Sequence, residues 1–166
     1  MENKYPKRKI IRLQEFDYNS NGSYFVTICT KDKKALFTLN DNNDIATNLI
    51  KDAFEEIINK YSNAECPVLV VMPNHLHAII NICGDEERAD NKSAPTISDI
   101  IRAFKRRSTV KYIEKVKQGV LPHFDKQIWQ RSFYDHVIRN QNDYFEIYKY
   151  ITENPLKWEL DKLYIE

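Results

Sequence analysis

The stretch Val71–Ile82 reads "VMPNHLHAIINI". It breaks an apolar run twice, once with the turn-forming pair Pro73-Asn74 and once with two histidines, His75 and His77. Proline and asparagine favour a tight connection, so "CPVLVVM" and "HLHAIINI" read as the two strands of a hairpin. Residues i and i+2 of a strand share a face, so His75 and His77 project side by side while Leu76 faces the other layer. Their Cα atoms then stand about 7 Å apart, close enough for two imidazoles to converge on one cation. H-x-H alone is a weak pattern, and two histidines at the end of a hairpin equally serve as hydrogen-bonding residues. A zinc site built with Cys66 and Cys83 is disfavoured, because Cys83 lies about 20 Å from His77 along an extended strand.

Outward from the hairpin, the other elements follow from local pattern. "GSYFVTICT" (22–30) is β-branched and aromatic and reads as a strand. Residues 44–62 place Ile45, Leu49, Ala53, Ile57 and Tyr61 on one helical face. Thr96 with Asp99 forms a capping box ahead of a helix whose stripe is Ile97, Ile100, Ile101 and Phe104. "QIWQRSFYDHVI" (127–138) reads as a fourth strand. Residues 143–154 read as a last helix, ended or bent near Pro155. The order β-α-β-β-α-β plus a C-terminal helix predicts an α+β, ferredoxin-like antiparallel sheet with two helices on one face. The other face is left for a ligand or for the final helix.

The chain of 166 residues suits one domain, 1–166, with a basic N-terminal arm at 1–21 and a polar loop at 84–95. With 42% apolar and 30% charged residues it reads as soluble and globular. Three glycines and no G-x-G-x-x-G or G-K-[ST] run argue against a glycine-rich phosphate cradle. No apolar run approaches a membrane span, and the charged N-terminus is followed by no apolar signal segment. Three widely spaced cysteines fit plain thiols in a reducing cytosol.

The net charge is only +1, but its distribution is uneven. Residues 102–117 hold seven basic side chains against one acid, Glu114. Arg102, Lys105, Arg106 and Arg107 lead that run, and Arg8 and Arg12 lie in the N-terminal arm. Such local patches on a neutral protein suit a polyanion, although a single run of this kind is commonly a solvated helix face.

The last helix supplies a nucleophile. In "YKYITENP" Tyr150 and Asn154 are four apart and share a helical face. Asn154 offers a carbonyl oxygen as a third ligand beside two imidazoles, and Glu146 or Glu153 could replace it. Tyr150 offers a phenol that can attack phosphorus and later leave again, its ordinary pKa being about 10. Such a residue can store a cut phosphodiester and return it to a new hydroxyl. Against this stand ten tyrosines in the chain, since a helical tyrosine usually packs.

"MPNHLHAI", "FKRRST", "IWQRSFYDHVIR" and "YITENPLKW" together resemble the REP-associated tyrosine transposases, in the single-tyrosine branch of the HUH nucleases. The resemblance spans about Tyr24 to Trp158, with the motifs in family order. It implies a ferredoxin-like catalytic domain acting on single-stranded DNA, often beside a hairpin. It maps the paired histidines onto His75 and His77, the nucleophile onto Tyr150 and the residue completing the metal site onto Asn154. The metal it implies is magnesium or manganese, and the intermediate a 5′-phosphotyrosine beside a free 3′-hydroxyl. Relatives include dimers whose helix serves the partner's site and monomers, so a homodimer and a monomer both stay open. A prokaryotic cytoplasmic, nucleoid-associated protein is expected.

On this reading the basic helix and arm hold the DNA backbone, with Arg131 and Arg139 as further phosphate contacts and Phe133 and Tyr134 as stacking platforms. His136 is expected to make a structural hydrogen bond. The alternative is a non-catalytic single-stranded nucleic-acid-binding module of the same fold.

Overall fold

The computed structural model describes residues 22–38, 44–83 and 95–165. Four strands form one antiparallel sheet: β1 (Gly22–Cys29), β2 (Ala64–Met72), β3 (His75–Ile82) and β4 (Tyr134–Ile138), in the order β2-β3-β1-β4. Helices α1 (Ile45–Ile58) and α2 (Ile97–Lys117) follow β1 and β3, and α3 (Gln141–Glu153) ends the series. This is the ferredoxin-like α+β arrangement expected from the element order. Arg8, Arg12 and most of the 84–95 loop lie outside the described residues.

Strand alternation divides the sheet into two faces. Tyr24, Val26, Ile28, Leu76, Ala78 and Ile80 are buried with α1 and α2 in the main core. Phe25, Val70 and Ile79 pack with Ile147 and Ile151 of α3 on the other face. The final helix therefore covers the face that the two crossover helices leave open.

Met72 pairs with His75, so Pro73 and Asn74 form a two-residue connection. The backbone N–H and hydroxyl of Thr30 both donate to the Asn74 carbonyl, at 2.9 Å each, and hold the turn against the end of β1. The β2–β3 register slips between Glu65 and Val68, where Pro67 lacks an N–H for the ladder.

The capping box of α2 is present, with Thr96 and Asp99 bonding each other's backbone N–H, and its expected apolar stripe is buried. Two expectations need correction. The buried face of α1 is Ala46, Leu49, Ile50, Ala53, Phe54, Ile57 and Ile58, while Ile45 is exposed. The stripe is wider than one i, i+4 row and is centred on its neighbouring row, so Ile45 falls beyond its border.

The fourth strand starts at Tyr134 rather than Gln127. Ahead of it the chain makes one bridge, Trp129 to Thr30, and turns inward. Trp129 is buried against Phe37 and Phe104, and its indole N–H donates to the Ser108 hydroxyl at 2.9 Å. Burying a large indole under α2, with its N–H satisfied, outweighs extension of an edge ladder.

Candidate active site

β3 presents His75 and His77 to the α3 face, both buried. Their Nε2 atoms converge to 3.0 Å. Each Nδ1 is held from behind. Asn74 donates its Nδ2 to the Leu163 carbonyl at 2.7 Å, which turns its Oδ1 toward His75 Nδ1, 2.7 Å away. His75 thus donates from Nδ1 and keeps a lone pair on Nε2. Burial, then the neighbouring His77, push the His75 imidazole down to about 3, so it is neutral at physiological pH. His77 Nδ1 meets the Thr27 hydroxyl at 2.9 Å. A hydroxyl donates or accepts, so His77 can present Nε2 as an N–H or as a lone pair.

α3 brings Tyr150 over the pair. The phenol oxygen lies 3.4 Å from His77 Nε2 and donates to Asp161 Oδ2 at 3.4 Å. Tyr150 is 47% exposed, so the phenol faces outward while its ring leans on His77 and Phe25. Burial of the oxygen, then the Asp161 carboxylate, raise its pKa above the ordinary phenol value. The site without a cation therefore holds Tyr150 protonated.

Asn154 caps α3 and is buried. Its Nδ2 donates to Asp161 Oδ2 at 2.8 Å, and its Oδ1 is buried with no hydrogen-bond partner. Neither glutamate considered beside it joins the site: Glu153 pairs outward with Lys157, and Glu146 is exposed.

The residue missed by sequence reasoning is Asp161. It follows the 3-10 segment Asn154–Leu160, which kinks at Lys157. Its buried carboxylate stands 4.0 Å from His75 Nε2. Burial raises its pKa, but hydrogen bonds from His77, the Leu163 N–H and Asn154 outweigh that and hold it well below the usual carboxylate range. No periodicity links Asp161 to Tyr150, so the sequence carried no local signal for it. Ligating atoms of His75, His77 and Asp161 all lie within 4.8 Å of one another. Two imidazole nitrogens, one carboxylate and one orphaned amide oxygen fit a divalent cation.

The basic residues divide between two sides of the molecule. Arg102 and Arg106 are exposed on α2, with the sheet between them and the histidines. Arg102 pairs with Asp99. Arg107 and Lys111 both clasp Glu56 of α1, at 2.9 and 2.8 Å, and hold its carboxyl down to about 2, the Lys111 bond counting most. Arg107 is thus engaged between the helices. Lys105, expected to hold the DNA backbone, instead donates within the protein to the carbonyls of Gln130, Arg131 and Ser132. Arg131 and Arg139 are exposed on either side of β4. His136 binds Asp143 at 3.0 Å, the structural role expected. Lys33 and Lys162, not singled out from sequence, lie near the site: the charge of Lys33 acts on His75, and Lys162 lines the cavity beside Tyr150.

Among the described residues no helix is long and apolar enough to cross a membrane. The family of IS200-like transposases matches residues 18–154, and the chain belongs to it. It is 36% identical, over 96% of its length and 94% of the relative's, to an uncharacterized protein of Haemophilus influenzae. It is 24% identical, over 85% of its length and 74% of the relative's, to a provisionally named REP-associated tyrosine transposase of the same organism. Among solved structures it resembles a REP-associated tyrosine transposase bound to a REP hairpin, at 25% identity and a TM-score of 0.56, covering 85% of this chain and 70% of that one. A provisionally named transposase of Deinococcus radiodurans shares the fold at 20% identity and a TM-score of 0.52, covering 86% and 95% of the two chains.

Proposed function

We propose that this transposase cuts and rejoins single-stranded DNA beside hairpins, with Tyr150 as nucleophile. The observation that carries the reading is the approach of the half-exposed Tyr150 phenol to His77 and Asp161, 3.4 Å from each. The phenol oxygen bonds to phosphorus and the P–O3′ bond breaks. The DNA 5′-phosphate is then linked to Tyr150, and the leaving 3′-oxygen takes up a proton. The phenolic proton leaves toward the Asp161 carboxylate, to which the hydroxyl already donates, or to water at the half-exposed phenol. A 3′-hydroxyl attacking the same phosphorus reverses the step, so rejoining needs no nucleotide cofactor.

His75, His77 and Asp161 would hold magnesium or manganese, with Asn154 Oδ1 as a further donor; the mixed nitrogen and oxygen set suits manganese well. Bound there, the cation polarises the scissile phosphate as a Lewis acid. The second-sphere residues are Asn74 and Thr27, which orient the imidazoles from behind. Tyr150 meets the histidines of its own chain, which supports a reaction in cis. Arg131 and Arg139, with the arm residues Arg8 and Arg12, are proposed to guide the strand. Arg102 and Arg106 would hold a part of the DNA that passes over the helix layer. The hairpin-bound relative supports a hairpin-bearing substrate.

The test incubates the protein with Mn2+ or Mg2+ and single-stranded oligonucleotides carrying hairpins, followed by a denaturing gel. A nicked product and a covalent protein–DNA band are expected, both lost in Tyr150→Phe. Salt-sensitive binding with neither band, and no effect of Tyr150→Phe, would instead establish the non-catalytic binding module.

A further inference from the structure

A cavity of about 580 Å³ opens beside Tyr150. Its walls include Phe25, Phe133 and Tyr134, and its polar lining includes Gln130 and Ser132. Phe25 stands edge-on to Tyr134 at 6.2 Å and to Tyr150 at 6.0 Å. Tyr134 is half-exposed, so part of its side chain is open to an incoming base. The volume lies within the range of about 300–1,000 Å³ typical of small-ligand sites. It has room for one nucleotide and none for a duplex. Flat aromatic walls with a few polar groups suit a nucleobase, because every base offers a π-face to stack and a polar edge to read.

The polar wall is rigidly set. The three N–H bonds of the Lys105 ammonium match three successive carbonyls, Gln130 at 2.8 Å, Ser132 at 2.9 Å and Arg131 at 3.4 Å. Just before them, Trp129 is bonded to Ser108 of the same helix. The "FKRRST" and "WQRSF" motifs are therefore partners in one clamp. It turns the loop's carbonyls toward α2 while Gln130 and Ser132 line the cavity. Lys105 also stands 5.7 Å from the centre of the Phe133 ring.

We propose that this cavity receives one unstacked base of a nucleotide next to the phosphate attacked by Tyr150, with Gln130 and Ser132 reading its polar edge. Lys105 is a positioning residue that fixes the loop carrying them. The proposal rests on the DNA-cutting reading above and adds a base-specific subsite to it.

The test uses the Tyr150→Phe protein, which binds without cutting, and a hairpin oligonucleotide with a randomised single-stranded flank. The retained fraction is sequenced. One flank position is expected to be enriched about tenfold for a preferred base, the scale of one stacked and read base. Gln130→Ala should flatten that position while preferences elsewhere persist. Lys105→Met should flatten it too, and Lys105→Arg should restore part of it; thermal melts confirm that each variant folds. The proposal is overturned if no position is enriched, if enrichment survives Gln130→Ala, or if all positions collapse together. A pool that is not retained at all removes the DNA reading, and this inference with it. Retention without a Gln130-dependent position removes the inference alone.

Discussion

The side-chain amide of Asn154 donates to Oδ2 of Asp161 at 2.8 Å. That bond ties the end of α3, which carries the proposed nucleophile, to the carboxylate beside the histidines. On the proposed arrangement Asp161 would be the charged ligand and Asn154 its support. Asp161→Ala is expected to weaken Mn2+ binding by at least about tenfold, and Asn154→Ala by less. Calorimetric titration with Mn2+ alone checks the order. A larger loss in Asn154→Ala would make the asparagine the principal ligand.

Asn74 does two tasks at once. Its Oδ1 fixes the His75 tautomer, and its Nδ2 holds the Leu163 carbonyl just past Asp161. Asn74→Ala should lower Mn2+ affinity by about 10–100-fold, the usual effect of removing a residue that orients a metal ligand. Asn74→Asp keeps an acceptor for His75 but loses the donor to Leu163. It should therefore recover part of the affinity. Equal losses in both variants would mean that the tail anchor matters and the tautomer does not.

Acid should destabilise the metal-free protein through His75. Its folded pKa is about 3, mainly from burial, while an unfolded histidine titrates near 6.5. Between those values the unfolded chain holds the extra proton, so stability falls as pH drops through that window. This one group accounts for up to about 1.4 kcal/mol per pH unit. Urea denaturation of the metal-free protein at pH 7, 6, 5 and 4 measures the slope. His75→Gln should make it shallower.

The exposed arginines of α2 are separated from Tyr150 by the sheet, so they should affect binding and not chemistry. Replacing Arg102 and Arg106 with alanine is expected to lower the log–log salt slope of DNA binding by about 1.4–1.8, at 0.7–0.9 per phosphate contact. The adduct-forming rate at saturating DNA should be unchanged. Arg107→Ala should act through stability, because it opens the pairing with Glu56. A fall in the saturated rate of the double variant would place the α2 face within reach of the reacting phosphate.

Local pattern determined much of this protein. Alternation in "HLHAIINI" set which side chains share a face, so the meeting of His75 and His77 needed nothing beyond the strand itself. Thr96 and Asp99 announced the start of α2, and Pro73-Asn74 the hairpin. Helical spacing placed Tyr150 and Asn154 together. Each of these signals acts within a few residues along the chain.

Tertiary structure decided the rest. The start of β4 depended on Trp129 finding Ser108 on a distant helix. Lys105 read as one of a basic run facing DNA, and only the fold set three carbonyls of another segment around it. The arginines of α2 fell on the far side of the sheet because the apolar stripe of that helix faces the main core. Asp161 came to the histidines through the kinked 3-10 segment Asn154–Leu160 and the hold of Asn74 and Asn154 on the tail. Contacts of that kind join residues with no periodic relation, so the chain must fold before the carboxylate beside "HLH" can be seen.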